Sequence, residues 1–381
     1  MNGKKGICLL LAGWMLLSVF GCFTPASSVE QPVQPTEAPA AQVNEPVAAT
    51  AAPIEQIMIS VGTEATISPE PTTPEPTPEP TPEPTPEPTP EPTATPAPTR
   101  APMAGDITTN FPDYDTGTDA DYSYQSDELR IAIRKVVDED VNQTYYVADV
   151  WMRNINSFRT GFGRGEFNTG REDGEDFAAR EHAILAVNGS MNYGLVIHNR
   201  EKVKGFRTDI QYKGICILYE DGSMKVFDIN KDRFNLKNGE KKGIVNAWQF
   251  GPALVKDGEI AGKFSNFGTR HPRIMVGYYE PGHYALVAVD GRSKKAIGMN
   301  EGEMAELMLS LGCKEAMNLD GGTSAMMVFM GECISHPSGA DTDGDGKAGR
   351  NIADMLLFAE YDGEGNAPAL TDVDQTKIRK P

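Results

Sequence analysis

Basic residues are missing from the first quarter of this chain outside its extreme N-terminus. Between Phe23 and Thr99 there is no lysine or arginine, while eleven glutamates fall in the same stretch. Such a segment offers nucleic acid no cationic surface. Removing those eleven carboxylates and the leader lysines Lys4 and Lys5 from the total of −19 leaves −10 from Arg100 onward. That moderate negative charge again argues against a nucleic-acid partner and fits a soluble surface. Cysteine is also scarce, with five in 381 residues, two of them (Cys8 and Cys22) near the N-terminus. Cys216, Cys313 and Cys333 form no C-x-x-C spacing, so a thiolate metal site and a disulfide framework both lack the residues they need. Cys313 and Cys333 read as buried thiols, with a disulfide between them as the alternative. Long apolar runs are few. The one from Ile7 to Phe20 is too short for a comfortable permanent span.

What is present at the N-terminus reads as an export signal. Lys4 and Lys5 precede the apolar run, and Gly21-Cys22 closes it with small residues. Val19-Phe20-Gly21-Cys22 resembles a bacterial lipoprotein box that would lipidate Cys22 and anchor the chain to a membrane. Plain signal-peptide cleavage is the other route. Both place the working domain outside the cytoplasm, as a cell-surface lipoprotein or as a secreted protein.

Residues 23–105 are rich in Pro, Thr, Glu and Ala, with Thr-Pro-Glu-Pro repeats from about Thr73 to Thr93. Too little apolar surface is available there to offset chain entropy, so a disordered stalk is expected. At about 3.1 Å per residue in a polyproline conformation, Pro69–Thr99 would reach on the order of 90 Å. The expected organisation is a leader over 1–22, the stalk over 23–105, a folded domain over 106–366 and a C-terminal tail over 367–381.

The folded part alternates apolar stretches with turn signals. Leu129–Val137, Tyr145–Trp151, Ala183–Val187, Leu195–His198, Gly214–Tyr219, Met224–Phe227, Pro272–Tyr279 and Tyr284–Val289 read as strands. Helical segments are expected around Asp176–His182 and after Asn300. In the second, Asn300 and Glu303 make a capping box, Met304, Leu307, Met308 and Leu311 share one face, and Gly312 ends it. The fold class is α+β, with a mixed, mainly antiparallel sheet and a few flanking helices.

Asn318-Leu319-Asp320-Gly321-Gly322-Thr323-Ser324 lies between apolar β-formers and reads as a hairpin turn with a carboxylate, an amide and two permissive glycines at its rim. Polar groups recur at the ends of other strands. Asn188 follows the run 183–187, Arg273 begins the strand after Pro272, and Asp290-Gly291-Arg292 ends the strand 284–289. Arg273 at a strand start suits forked contact with a phosphate or a carboxylate. Separately, Asp341, Asp343 and Asp345 followed by Gly346 resemble the first half of a calcium loop. Ile352 stands at its twelfth position and Asp354 two residues beyond.

Taken in order, Tyr145–Val150, Ala186–Gly189, Phe250–Val255, Arg270–Gly277, Val289–Arg292, Asn318–Ser324 and Arg350–Leu356 resemble the phosphodiester glycosidase family, over about residues 127–361. The resemblance implies an enzyme that removes a sugar, typically N-acetylglucosamine, from a glycosyl phosphodiester in envelope or exopolysaccharide material, with no required cofactor. It places Asp320 as the catalytic carboxylate, with Asp290 as the runner-up or as the group that orients Arg292. It places Asn188, Arg273, Arg292, Asn318, Gly321, Gly322, Ser324 and Arg350 against the substrate, the Gly321 and Gly322 amides on its phosphate. The family commonly carries an acidic residue where this chain has Ser190, and arginine where it has His198. A non-catalytic glycan-binding module on a stalk is the competing reading.

Overall fold

A computed structural model describes residues 101–237, 242–264, 268–339, 349–365 and 367–381. The leader, most of the stalk and the aspartates Asp341, Asp343 and Asp345 lie outside the described residues.

The strands form three sheets, and every pairing between described strands is antiparallel. The expected mainly antiparallel α+β class holds, with two α-helices, Gly174–Arg180 and Glu301–Ser310, among the described residues. The largest sheet has nine strands. At its centre Arg273–Glu280 lies between Glu315–Asn318 and His283–Val289, which in turn pairs with Gln143–Met152. A five-stranded sheet is built around Ile244–Phe250, between Val196–His198 and Gly214–Tyr219. The third, also five-stranded, holds Asp354–Phe358 between Leu185–Asn188 and Phe158–Phe162.

Phe158 marks where the sheets meet. Its ring lies 5.3 Å from Tyr284 of the nine-stranded sheet, 5.7 Å from Trp248 of the second and 4.3 Å from Phe358 of its own. All four side chains are at most 2% exposed. Aromatic burial of this extent, at ring separations that favour offset and edge contacts, joins the three sheets into one core.

The helix Glu301–Ser310 begins as the sequence predicts. Asn300 accepts the N–H of Glu303 at 3.0 Å, and Glu303 returns a bond to the Asn300 N–H at 2.9 Å. Met304, Ala305 and Met308 bury its inner face against Met275, Val287 and Ala316. Gly277 makes the close approach feasible, because a Cβ there would lie 2.5 Å from Met308 Cε and 2.6 Å from Cys313 Sγ. Cys216 and Cys313 are buried free thiols and Cys333 is a half-buried one, so the disulfide alternative falls away.

Two expectations change. The Asn318–Ser324 segment is not a hairpin: Glu315–Asn318 belongs to the nine-stranded sheet, whereas Met327–Phe329 pairs with Leu185–Asn188 in the third. The segment is a crossover between sheets, and both flanks are apolar because each enters a different part of the core. Residues beyond 366 do more than trail off. Val373 is buried and Ile378–Arg379 pairs with Tyr122–Gln125 at the sheet edge.

Candidate active site

Strand ends from all three sheets arrive at one rim. Arg273 begins a strand of the nine-stranded sheet and Asn318 ends another. Phe250 ends the central strand of the second sheet. Asn188 ends, and Asp354 begins, adjacent strands of the third. A strand end frees a side chain from pleat packing while the sheet still fixes its origin.

Asp320 sits where the crossover leaves the sheet, only 9% exposed. Its N–H donates to Gly189 O at 3.0 Å, and its own carbonyl accepts Asn188 Nδ2 at 2.7 Å. One carboxylate oxygen, Oδ2, accepts Arg350 Nη2 at 2.8 Å. The other, Oδ1, has no hydrogen-bond partner among the described residues. Arg350 is held in turn by Ser324 Oγ, which accepts its Nε at 2.5 Å, and by Met191 Sδ at 3.1 Å.

Asp320 lines a cleft of about 730 Å³ together with Arg273, Arg292, His271, Asn318 and Glu301. Arg273 is fixed by its Nε, which donates to Met299 O at 3.1 Å. Burial pulls its pKa down, with Glu301 opposing and the Arg292 charge adding to that shift. His271 is held below the usual imidazole range by burial and then by Arg273 and Arg292, so it is neutral at pH 7. Asn318 donates Nδ2 to Gly251 O at 2.9 Å, and its buried Oδ1 has no partner among the described residues. The arrangement is a carboxylate with one uncommitted oxygen facing a cleft that also carries two guanidinium groups.

Several predicted site residues are engaged by the protein itself. Asn188 is 1% exposed, and besides holding Asp320 it accepts the Met326 N–H at 3.0 Å. It therefore clamps the crossover and does not present its amide to the cleft. Ser324 serves Arg350 in the same way. The Gly322 N–H donates to Pro272 O at 2.9 Å, so it is not available to a phosphate. Gly321 passes so close to that carbonyl that a Cβ would lie 2.5 Å from it. Gly322 has φ +66°, and a Cβ on it would lie 2.9 Å from Arg292 Nη2. This pair of glycines lets the crossover lie against Pro272 on one side and the Arg292 guanidinium on the other.

Asp290 does not line the Asp320 cleft. It is 5% exposed and holds His336, accepting the backbone N–H at 2.8 Å and facing Nδ1 at 2.9 Å. Burial raises its pKa, with His336 opposing the shift. His198 lies apart, bonded to Thr160 Oγ1 at 2.7 Å and stacked on Phe162.

Asp354, two residues past the twelfth position of the calcium-like run, is buried beneath the site, with Oδ2 accepting the Ser190 N–H and hydroxyl at 2.7 and 3.1 Å and Oδ1 accepting the Met191 N–H at 2.6 Å. Burial, with the Asp320 charge adding to it, raises its pKa to about 6. The rule that flagged Asn188 and Asp290, a polar residue at the end of an apolar run, applies equally to Asp354. His336 has no such local signal, because only the fold brings it to Asp290.

Fold and site together define an antiparallel α+β domain with a carboxylate–guanidinium cleft at the meeting of its sheets. Residues 175–359 match the phosphodiester glycosidase family model, in line with the resemblance carried by the sequence motifs. Among relatives, it is 30% identical over 181 residues to the SPbeta prophage-derived uncharacterized protein YomE of Bacillus subtilis (strain 168), covering 45% of this chain and 28% of that protein. It is 34% identical over 109 residues to the N-acetylglucosamine-1-phosphodiester alpha-N-acetylglucosaminidase of Bos taurus, covering 28% of this chain and 20% of that one. The chain thus spans under a third of either relative's length. Its fold is similar to the zebrafish N-acetylglucosamine-1-phosphodiester alpha-N-acetylglucosaminidase catalytic domain, with 20% identity, a TM-score of 0.49, and coverage of 68% of this chain and 97% of that one.

Proposed function

We propose that this chain is an extracellular hydrolase that cleaves the bond between the anomeric carbon of a sugar and a phosphodiester oxygen. Water enters at the anomeric carbon, and the products are the free sugar and a phosphomonoester. The observation that carries this reading is the sharing of one cleft by the Asp320 carboxylate and the Arg273 and Arg292 guanidinium groups. The family and the named activity of the bovine relative support the same reaction, with an N-acetylglucosamine-like sugar.

The chemistry follows from the leaving group. Departure of phosphate builds an oxocarbenium-like centre and needs less acid assistance than departure of an ordinary alcohol. Asp320 Oδ1 meets the developing positive charge, as nucleophile or as the base that activates water. Arg273 and Arg292 hold the phosphate and balance the charge it gains. Arg350 aims the Asp320 carboxylate through its bond to Oδ2.

The leader and the Pro/Thr/Glu stretch support action at the cell surface on envelope or exopolysaccharide material, through a lipid anchor or after secretion. The acidic run Asp341–Asp345 would take a structural Ca²⁺ at most, and no step of this reaction needs it. Incubating the purified protein with a glycosyl phosphodiester and with a UDP-sugar tests the assignment. Release of free sugar is expected. Tight binding with no release would make the domain a glycan-binding module instead.

A further inference from the structure

Arg292 lines two clefts. One is the Asp320 cleft, and the other, of about 960 Å³, is lined also by Lys135, Asn142, Thr144, Asp290 and His336. Asp320 does not line the second cleft.

Within that second cleft Asp290 and His336 are joined by two hydrogen bonds. Asp290 ends its strand with its own N–H donated to Thr144 O at 3.0 Å. Its carboxylate takes both the backbone N–H and the ring Nδ1 of His336, at 2.8 and 2.9 Å. A carboxylate that close to a ring nitrogen requires the proton between them, so Nδ1–H is the donor and Nε2 of the neutral ring is an acceptor. The Tyr146 hydroxyl, 3.3 Å from Nδ1, closes the inner edge further. The outer edge is open, for the His336 side chain is 70% exposed against 6% for Asp290. The backbone bond alone would anchor the segment. The second bond fixes the ring, which a purely structural anchor would not require.

A phosphodiester carries two arms on one phosphorus, and they leave it in different directions. An arginine shared by two clefts can hold the phosphate while each cleft receives one arm. Asp320 marks its cleft as the place of the glycosyl arm, if the proposed hydrolysis is correct, and the inference rests on that reading. We propose that the second cleft is the subsite for the alcohol arm, a polyol or sugar, with Asp290 orienting His336 so that Nε2 accepts one of its hydroxyls. A cleft of this volume is far larger than a methyl ester needs. Lys135 and Asn142 supply donors for the remaining hydroxyl oxygens.

Two phosphodiesters of one glycosyl phosphate test this, a methyl ester and a hexitol ester. The wild-type kcat/KM should favour the hexitol ester by about tenfold or more, one to two well-placed hydrogen bonds in magnitude. His336→Ala and Asp290→Asn should each bring that ratio close to one. A ratio unchanged in His336→Ala would overturn the subsite. Binding gives a readout that needs no turnover: hexitol 1-phosphate should shift the His336 Nε2 resonance, and Arg292→Ala should abolish the shift. If neither ester is cleaved but the resonance moves, hydrolysis is wrong and the subsite stands. If both esters are cleaved with no shift and an unaltered ratio, hydrolysis stands and the subsite is wrong.

Discussion

Asp354 Oδ2 accepts both the backbone N–H and the hydroxyl of Ser190, at 2.7 and 3.1 Å, from a position 3% exposed. With the Met191 N–H on Oδ1 and the Gly189 N–H on the Asp354 carbonyl at 2.8 Å, one residue gathers three successive amides. The same turn returns Gly189 O to the Asp320 N–H, so Asp354 positions the candidate catalytic carboxylate through the backbone.

The raised pKa of Asp354 has a definite sign for stability. The ordinary value is 3.8 and burial lifts it to about 6 in the fold. Between those values the folded protein keeps a proton that the unfolded chain releases. The penalty of the ionised form is therefore absent below about pH 4 and complete above about pH 6, at ~3 kcal/mol. Asp354→Asn has no such titration. Melting temperatures of the two proteins across pH 4 to 7 should show wild type losing several degrees relative to the variant as pH rises. A constant gap would mean that Asp354 is not buried as described.

Asp320 should separate turnover from folding. In Asp320→Asn the amide oxygen can still accept Arg350 Nη2 and every backbone bond remains, so the melting temperature should change little. Sugar release should fall about 10³-fold or more, because the charge that meets the anomeric centre is gone. Arg350→Lys keeps a cation but loses the fork that spans Asp320 and Ser324, and a loss of roughly tenfold in kcat is expected. Wild-type turnover by Asp320→Asn would remove Asp320 from the mechanism.

The order of strands and the capped helix were legible in the sequence because their signals are local. Leu129–Asp138 alternates, Gly214–Tyr219 is a short apolar run, and Asn300 with Glu303 forms its box within four residues. Ile244–Phe250 was not legible as a strand. It carries Asn246 and Gln249 in a segment buried at all seven positions. Those amides are satisfied by backbone partners distant in sequence: Asn246 bonds Phe158 O and the Asn199 N–H, and Gln249 bonds Leu195, Arg207 and Tyr212. A polar side chain reads as surface until its partners are known. The same reason hid the division of labour at the site. Asn188, Ser324 and Asp320 look alike as polar strand-end residues, and only their partners show that the first two hold the third.

Gly322 tests whether the crossover's shape matters to the phosphate. Its φ of +66° disfavours any side chain, and a Cβ would crowd Arg292 Nη2 at 2.9 Å. Gly322→Ala should cost about 1 kcal/mol of stability from the backbone conformation. Arg292 can swing away, so the fold survives, but its guanidinium leaves the Asp320 cleft. Steady-state kinetics should then show KM for a glycosyl phosphodiester rising roughly tenfold, one charge-assisted contact in magnitude. An unchanged KM would show that Arg292 does not hold the phosphate from this position.

Beneath the site strand lies a charge that the fold has to neutralise. Glu315, whose side chain is fully buried, opens the strand that ends at Asn318, and it accepts Lys225 Nζ at 2.6 Å and the Val226 N–H at 3.0 Å. Lys225 also reaches Asp257 at 2.7 Å and is itself 46% exposed. The bond ties the second sheet to the nine-stranded one directly behind the crossover. Burial raises the Glu315 pKa, and Lys225 is the main group that lowers it again. Lys225→Met would leave the carboxylate buried without its counter-ion, at a cost of about 2–3 kcal/mol after allowing for the exposure of Lys225. A melting temperature lower by roughly 5–10 °C at pH 7 is the expected result. Because the stranded Glu315 takes up a proton more readily in the fold than in the unfolded chain, the deficit should shrink as pH falls towards 5. Glu315→Gln in the same background should recover most of the loss, since the amide needs no counter-ion. A deficit that is independent of pH and persists in the double variant would assign it to lost packing by the lysine stem rather than to the uncompensated carboxylate.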